Sequence, residues 1–130
     1  MTTTPQERRS SRAERLRTIG PFVAVVVASL VVLFNPGSAT PAVWPGVDKV
    51  IHMAMFAALA LTGRRAGLPT PGLAVGLVVY AGASEVLQSL LPLNRDGDPL
   101  DALVDVVGVA AGLLVARRFA PRSAAAPHAR

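Results

Sequence analysis

The chain has no cysteine, so it can form neither a disulfide nor a thiolate metal site, and it has no cysteine nucleophile. Charged residues are also scarce at 16%, against 52% hydrophobic residues, and the mean hydropathy is +0.47. Aromatic residues make up only 5%, which argues against nucleic acid as a partner although the net charge is +5. The composition therefore predicts a membrane protein of one domain.

Four apolar segments predict an all-α protein with four transmembrane helices. The expected helices cover residues 20–34, 48–62, 68–91 and 100–116, and the membrane domain as a whole covers 19–116. The basic residues 1–18 and the arginine- and alanine-rich residues 117–130 are expected to be unfolded cytoplasmic tails. A signal peptide is the alternative for the first segment, but no clear A-x-A site follows it, so an uncleaved helix is expected.

The charges divide unevenly between the two sides that four crossings would create. One side, with both tails and the Arg64-Arg65 turn, would hold eleven basic residues and two acids. The other side would hold Lys49 and Arg95 and six acids. Basic residues favour the cytoplasmic side, so both termini are predicted to be cytoplasmic in a multi-pass protein of the bacterial inner membrane.

The outer ends of the last three segments carry an unusual set of polar residues. Spacings of three or four residues place the members of each pair on one helix face, so that all three pairs can point inward together: Asp48 with His52, Glu85 with Gln88, and Asp101 with Asp105. The predicted polar cluster consists of Asp48, Lys49, His52, Glu85, Gln88, Arg95, Asp101 and Asp105. Ionisable residues in an apolar segment are costly, so they are expected to be paired or functional.

The residues alone leave the role of this cluster open. An interhelical polar clamp is one interpretation, and an outward-facing ligand site is another. A catalytic site is a third, in which Glu85, Asp105 and His52 act as general acid or base. No metal is predicted for His52, Glu85 and Asp105, because no HExxH or comparable histidine doublet is present.

Two glycine pairs with G-x-x-x-G spacing, Gly72/Gly76 and Gly108/Gly112, allow close approach of helices. Packing within one chain is the default expectation for both pairs, and homodimerisation is the alternative.

The chain resembles the VanZ-like family of small bacterial membrane proteins over approximately 47–115. The resemblance rests on Asp48-Lys49-x-x-His52-x-x-x-Phe56, Glu85-x-x-Gln88, Arg95 and Asp101-x-x-x-Asp105-x-x-Gly108. Asparagine is common in the family at the position of Asp105, so the carboxylate here is a departure from the family pattern.

The family is named for a teicoplanin-resistance protein, so the resemblance implies a role in the cell envelope or in the response to glycopeptide antibiotics. The implied partners are the lipid bilayer and either a lipid-linked cell-wall precursor or a lipoglycopeptide, and no cofactor is implied. A membrane enzyme with a lipid-linked substrate and a structural or accessory subunit are the alternatives.

Overall fold

The computed structural model describes residues 5–36, 46–92 and 98–119, and the side chains of the first range from residue 13 onward. All regular secondary structure in these residues is α-helical, and it forms four helices: α1, Pro5–Phe34; α2, Val47–Arg65; α3, Thr70–Leu90; and α4, Pro99–Phe119. The prediction of an all-α protein with four helices is therefore confirmed. Arg95 and residues 120–130 of the predicted C-terminal tail lie outside the described residues.

Three of the predicted helix boundaries are wrong by at least three residues. Helix α2 continues to Arg65, although Arg64 and Arg65 were expected in a turn. Helix α1 begins at Pro5, so the basic segment 5–18 is helical and not unfolded. Helix α4 continues to Phe119 and includes Arg117 and Arg118, which were expected in the tail. In all three places the predicted boundary follows the change from apolar to charged residues. Arginine and glutamate are good helix formers, however, and a helix can continue past the end of its apolar part.

Three helical segments are long and apolar enough to cross a bilayer: Ala13–Phe34, Thr70–Leu90 and Pro99–Phe119. Helix α2 has 19 residues and is thus about 28 Å long at 1.5 Å per residue. It carries charged residues near both ends: Asp48, Lys49, Arg64 and Arg65.

Side-chain contacts show that the helices run alternately up and down. Ser29 and Leu33 of α1 contact Tyr80 and Gln88 of α3, respectively, so these two helices are parallel. Lys49 and His52 of α2 contact Asp101 and Asp105 of α4, so that pair is also parallel. One end of the bundle, the acidic end, therefore holds Asp48, Glu85, Asp98, Asp101 and Asp105. The opposite, basic end holds Arg15, Arg17, Arg64, Arg65, Arg117 and Arg118.

A glycine turn connects α2 to α3 at the basic end. Gly67 has a φ of 88°, a conformation that glycine adopts without strain. The Leu68 N–H donates to Gly63 O at 3.1 Å, and the Gly67 N–H donates to Arg64 O at 3.1 Å. These two bonds form a Schellman motif, which satisfies carbonyls at the end of α2. The turn thus allows α3 to begin only a few residues after α2 ends.

The apolar core receives side chains from all four helices: Leu33, Phe56, Leu59, Ala60, Leu73, Leu77, Ala81 and Val109. Phe56 is fully buried, and its ring centroid lies 5.6 Å from that of Tyr80. Many other large apolar side chains point outward, including Val75, Val79 and Leu90, which are 65%, 63% and 75% exposed. A bundle with so much apolar surface is suited to a lipid environment.

Candidate functional site

Three ionisable side chains from three helices meet inside the acidic end. His52 of α2, Glu85 of α3 and Asp105 of α4 each place a nitrogen or carboxylate oxygen within 4.8 Å of the others. All three residues are buried, and Asp105 is completely so. We call His52, Glu85 and Asp105 the buried triad. The predicted convergence of the three helix ends is therefore confirmed for these residues.

The buried triad has several polar atoms without a hydrogen-bond partner among the described residues: His52 Nδ1, Glu85 Oε1 and both carboxylate oxygens of Asp105. His52 Nδ1 lies 3.2 Å from Asp105 Oδ1, which is an ion-pair distance when the imidazole is protonated. Buried polar atoms in native proteins are nearly always satisfied. A polar clamp would be expected to satisfy its own members, whereas the described residues leave these four atoms of the triad without a hydrogen bond.

A second group of charges lies beside the triad, nearer the surface. The Lys49 ammonium donates to Asp98 Oδ2 at 2.8 Å and to Asp101 Oδ1 at 2.6 Å. These ion pairs connect α2 to the start of α4, so this part of the predicted cluster does act as a clamp. The Lys49 ammonium and the N–H of Leu100 together hold the pKa of the Asp98 carboxyl below its usual value.

Asp98 also connects the clamp to the triad. Its side chain accepts a bond from the Leu100 N–H at 2.9 Å, which caps the start of α4. Its own N–H donates to Glu85 Oε2 at 2.9 Å, so one oxygen of Glu85 is satisfied and the other is not. Asp98 was not among the predicted site residues. The Asp98-Pro99 pair could have indicated that Asp98 caps the start of α4, because proline is favoured at the first position of a helix and aspartate just before it.

Two further polar contacts position α1 against α3. Gln88 Nε2 donates to Leu33 O at 2.7 Å, and this carbonyl lies in the last turn of α1, where no helical partner exists. The hydroxyl groups of Ser29 and Tyr80 lie 3.1 Å apart. Gln88 thus has a structural role. Neither Ser29 nor Tyr80 was predicted, because a single hydroxyl in an apolar segment carries no spacing signal.

Of the other predicted site residues, Asp48 is half-buried at the start of α2. No described residue forms an ion pair with it within 4.0 Å, and it does not belong to the triad or the clamp. Arg95 lies outside the described residues.

The two glycine pairs differ in their surroundings. Gly108 and Gly112 lie against the backbone of α2, where a Cβ on either would overlap the carbonyl oxygen of Met53 or Ala57, respectively. That face is used within the chain. Gly76, in contrast, has nothing within 4 Å of an added Cβ. Gly72 and Gly76 line an open apolar groove of about 280 Å³, together with Phe22, Leu68, Pro69, Leu73 and Leu77.

Comparison of the chain with protein-family models, curated proteins and solved structures finds no match. The function must therefore be argued from the site. A buried imidazole beside two carboxylates can transfer a proton, bind a cation, or accept hydrogen bonds from a ligand that enters between the helix ends.

Proposed function

We propose that the chain is a VanZ-like integral membrane protein of the bacterial plasma membrane, which acts in the cell envelope through a ligand site at the outer ends of its helices. The observation that carries the proposal is the buried triad: His52, Glu85 and Asp105 come from three different helices, and several of their polar atoms have no hydrogen-bond partner in the part of the chain that the structure describes. Such atoms in an apolar helical bundle are expensive, and function is the usual reason for retaining them.

In this proposal α2 is a fourth crossing. It packs along α4 from Lys49 and Asp101 at the acidic end to Ala57 and Gly112 further along both helices. Its length of about 28 Å approaches the thickness of the hydrocarbon core of a bilayer, which is about 30 Å. If α4 spans the membrane, a parallel helix packed against it lies at the same depth, and its charged ends fall near the two interfaces.

The orientation follows from charge. The basic end carries arginines of α1, α2 and α4, and the acidic end carries the aspartates and Glu85. Since arginine-rich ends stay on the cytoplasmic side, both termini face the cytoplasm and the triad faces the outer leaflet. There it would meet lipid-linked cell-wall precursors or a lipoglycopeptide such as teicoplanin, whose acyl chain also partitions into the membrane.

Cysteine labelling tests this orientation, because the chain has no native cysteine. Ala66→Cys in the α2–α3 turn should resist an impermeant thiol reagent in intact cells and react after permeabilisation. Pro92→Cys, beyond the end of α3, should react in intact cells. Ala66 is chosen instead of its neighbour Gly63, because Gly63 packs against Leu73 and a side chain there would disturb the bundle. Labelling of Ala66→Cys from outside would refute the orientation.

The susceptibility of a sensitive host to teicoplanin tests the role in the envelope. We expect the protein to raise the inhibitory concentration at least severalfold, and Glu85→Gln to abolish this effect at equal membrane abundance, since the unsatisfied carboxylate oxygen is lost. Asp48→Asn is the matched control, because it removes a carboxylate at the same end but outside the triad, and it should protect like the native protein. Equal protection by Glu85→Gln would assign Glu85 a structural role, and no protection by the native chain would contradict the proposal.

An enzyme acting on a lipid-linked substrate is the second candidate, and the proximity of an imidazole to two carboxylates favours it. His52 and either Glu85 or Asp105 would exchange a proton with the substrate. Turnover of a lipid-linked precursor by the purified protein would distinguish this activity from binding alone. An accessory role remains a third proposal, in which the open groove at Gly72 and Gly76 receives a second copy of the chain.

A further inference from the structure

Among the described residues, no lysine or arginine forms an ion pair with the buried triad. Two carboxylates and one imidazole are gathered in it. The nearest basic side chain described by the structure, Lys49, is held by Asp98 and Asp101. The other described basic residues lie at the basic end of the bundle or in the N-terminal part of α1. Placing two carboxylates in a medium of low dielectric without a compensating cation is strongly unfavourable.

The arrangement of the triad is compatible with a metal ion: its ligand atoms lie within 4.8 Å of one another, and a bound ion would draw them closer together. Two ligand atoms that bind one tetrahedral ion at about 2.0–2.2 Å lie about 3.3–3.5 Å apart. His52 Nδ1 and Asp105 Oδ1 are 3.2 Å apart, close to this separation. Glu85 Oε1 is also unpartnered, and its other oxygen is anchored by the Asp98 N–H. In metal sites, a ligand is commonly held in place by a hydrogen bond from another protein group.

We infer that His52, Glu85 and Asp105 form a binding site for one divalent transition-metal ion, with Zn²⁺ as its representative. A divalent ion neutralises the two carboxylates. An imidazole nitrogen with carboxylate oxygens is a ligand set that suits zinc or manganese. Mg²⁺ prefers oxygen ligands and retains several waters, which a closely packed triad accommodates poorly.

Three protein ligands leave at least one coordination position open. Structural zinc sites have four protein ligands, whereas zinc sites that act on a substrate have three and keep a position for water or the substrate. This inference deepens the proposed function, because the ion would occupy the same cluster. It does not depend on the orientation in the membrane, since the triad is contained within one chain.

Metal binding by the full chain tests the inference directly. The protein is purified in mild detergent with a tag that lacks histidine, stripped with EDTA and titrated with Zn²⁺ by calorimetry. We expect one equivalent per chain. Glu85→Gln and Asp105→Asn should each weaken binding by at least about a hundredfold, more than the loss of a supporting second-sphere group causes. Asp48→Asn should bind like the native protein, which excludes a general effect of acidic residues at this end.

A cobalt spectrum keeps the test informative if a variant fails to fold. Co²⁺ bound to the native protein through an imidazole and carboxylates in a tetrahedral site should give intense visible bands, and these should change in His52→Gln. The spectrum of hydrated, octahedral Co²⁺, or undiminished zinc binding by folded Asp105→Asn, would overturn the metal site. If the protein binds zinc but Ala66→Cys is labelled from outside the cell, the metal site is supported and the proposed orientation is refuted.

Discussion

Alanine at Gly108 or Gly112 is expected to destabilise the bundle by at least about 1–3 kcal/mol, the cost of overpacking a well-packed interior. The added Cβ would overlap the carbonyl oxygen of Met53 or Ala57, and these are backbone atoms of α2 that no side-chain rotation can move. Helices α2 and α4 must therefore separate. Because His52 lies on one helix and Asp105 on the other, the same separation opens the buried triad.

Gly76→Ala is the matched control for both variants. Gly76 also belongs to a G-x-x-x-G pair and lies inside a helix, but nothing is within 4 Å of its added Cβ. Since alanine is a better helix former than glycine by about 1 kcal/mol, this variant should be as stable as the native protein or slightly more stable. Unfolding by increasing SDS in mixed micelles, followed by helical circular dichroism, measures all three. Equal stability of Gly112→Ala and Gly76→Ala would mean that the α2–α4 contact is not close.

Asp105→Asn and Asp101→Asn, the same substitution one helical turn apart, are expected to change the stability of the metal-free protein in opposite directions. Asp105 is fully buried, and no described residue forms a hydrogen bond with either of its oxygens. An amide carries no charge and can donate to a neighbouring carboxylate, so Asp105→Asn should stabilise the protein by about 1–3 kcal/mol in EDTA. Asp101 accepts a bond from Lys49, so Asp101→Asn should destabilise the protein.

If the triad is a metal site, zinc should reverse the difference in stability between the native protein and Asp105→Asn. An ion that binds only the folded state stabilises it, so the native protein should gain stability on addition of Zn²⁺ and Asp105→Asn should not. Asp101→Asn should gain as the native protein does. The SDS titration in EDTA and in zinc therefore separates the cost of a buried carboxylate from the benefit of the ion. A native protein that is more stable than Asp105→Asn in EDTA would contradict this prediction.

Much of the candidate site was predictable because helical periodicity places residues three or four apart on one face. The predicted pair Asp101 and Asp105 on α4 contacts Lys49 and His52 of α2, respectively. On α2, however, spacing had paired His52 with Asp48 and not with Lys49. Asp48, which was expected to point inward with His52, forms no ion pair with a described residue and belongs to neither the triad nor the clamp. Spacing could not show that Lys49 and Asp101 would be satisfied while His52 and Asp105 would not.

The glycine pairs show a similar limit. Both have the same spacing in the sequence, and nothing local distinguishes them. The environment of each was decided by which helix lies opposite: Gly108 and Gly112 face the backbone of α2, and Gly72 and Gly76 line a groove.

The amino-acid sequence by itself determined the all-helical architecture, the number of helices and the separation of basic from acidic residues. These follow from hydropathy, helical periodicity and composition, which act locally along the chain. Only the tertiary structure decided which polar groups found partners. Pairing depends on distances between residues as far apart in sequence as His52 and Asp105, and three packed helices fix those distances to within a few ångströms. The buried triad is therefore a product of packing, although each of its members was visible in the sequence.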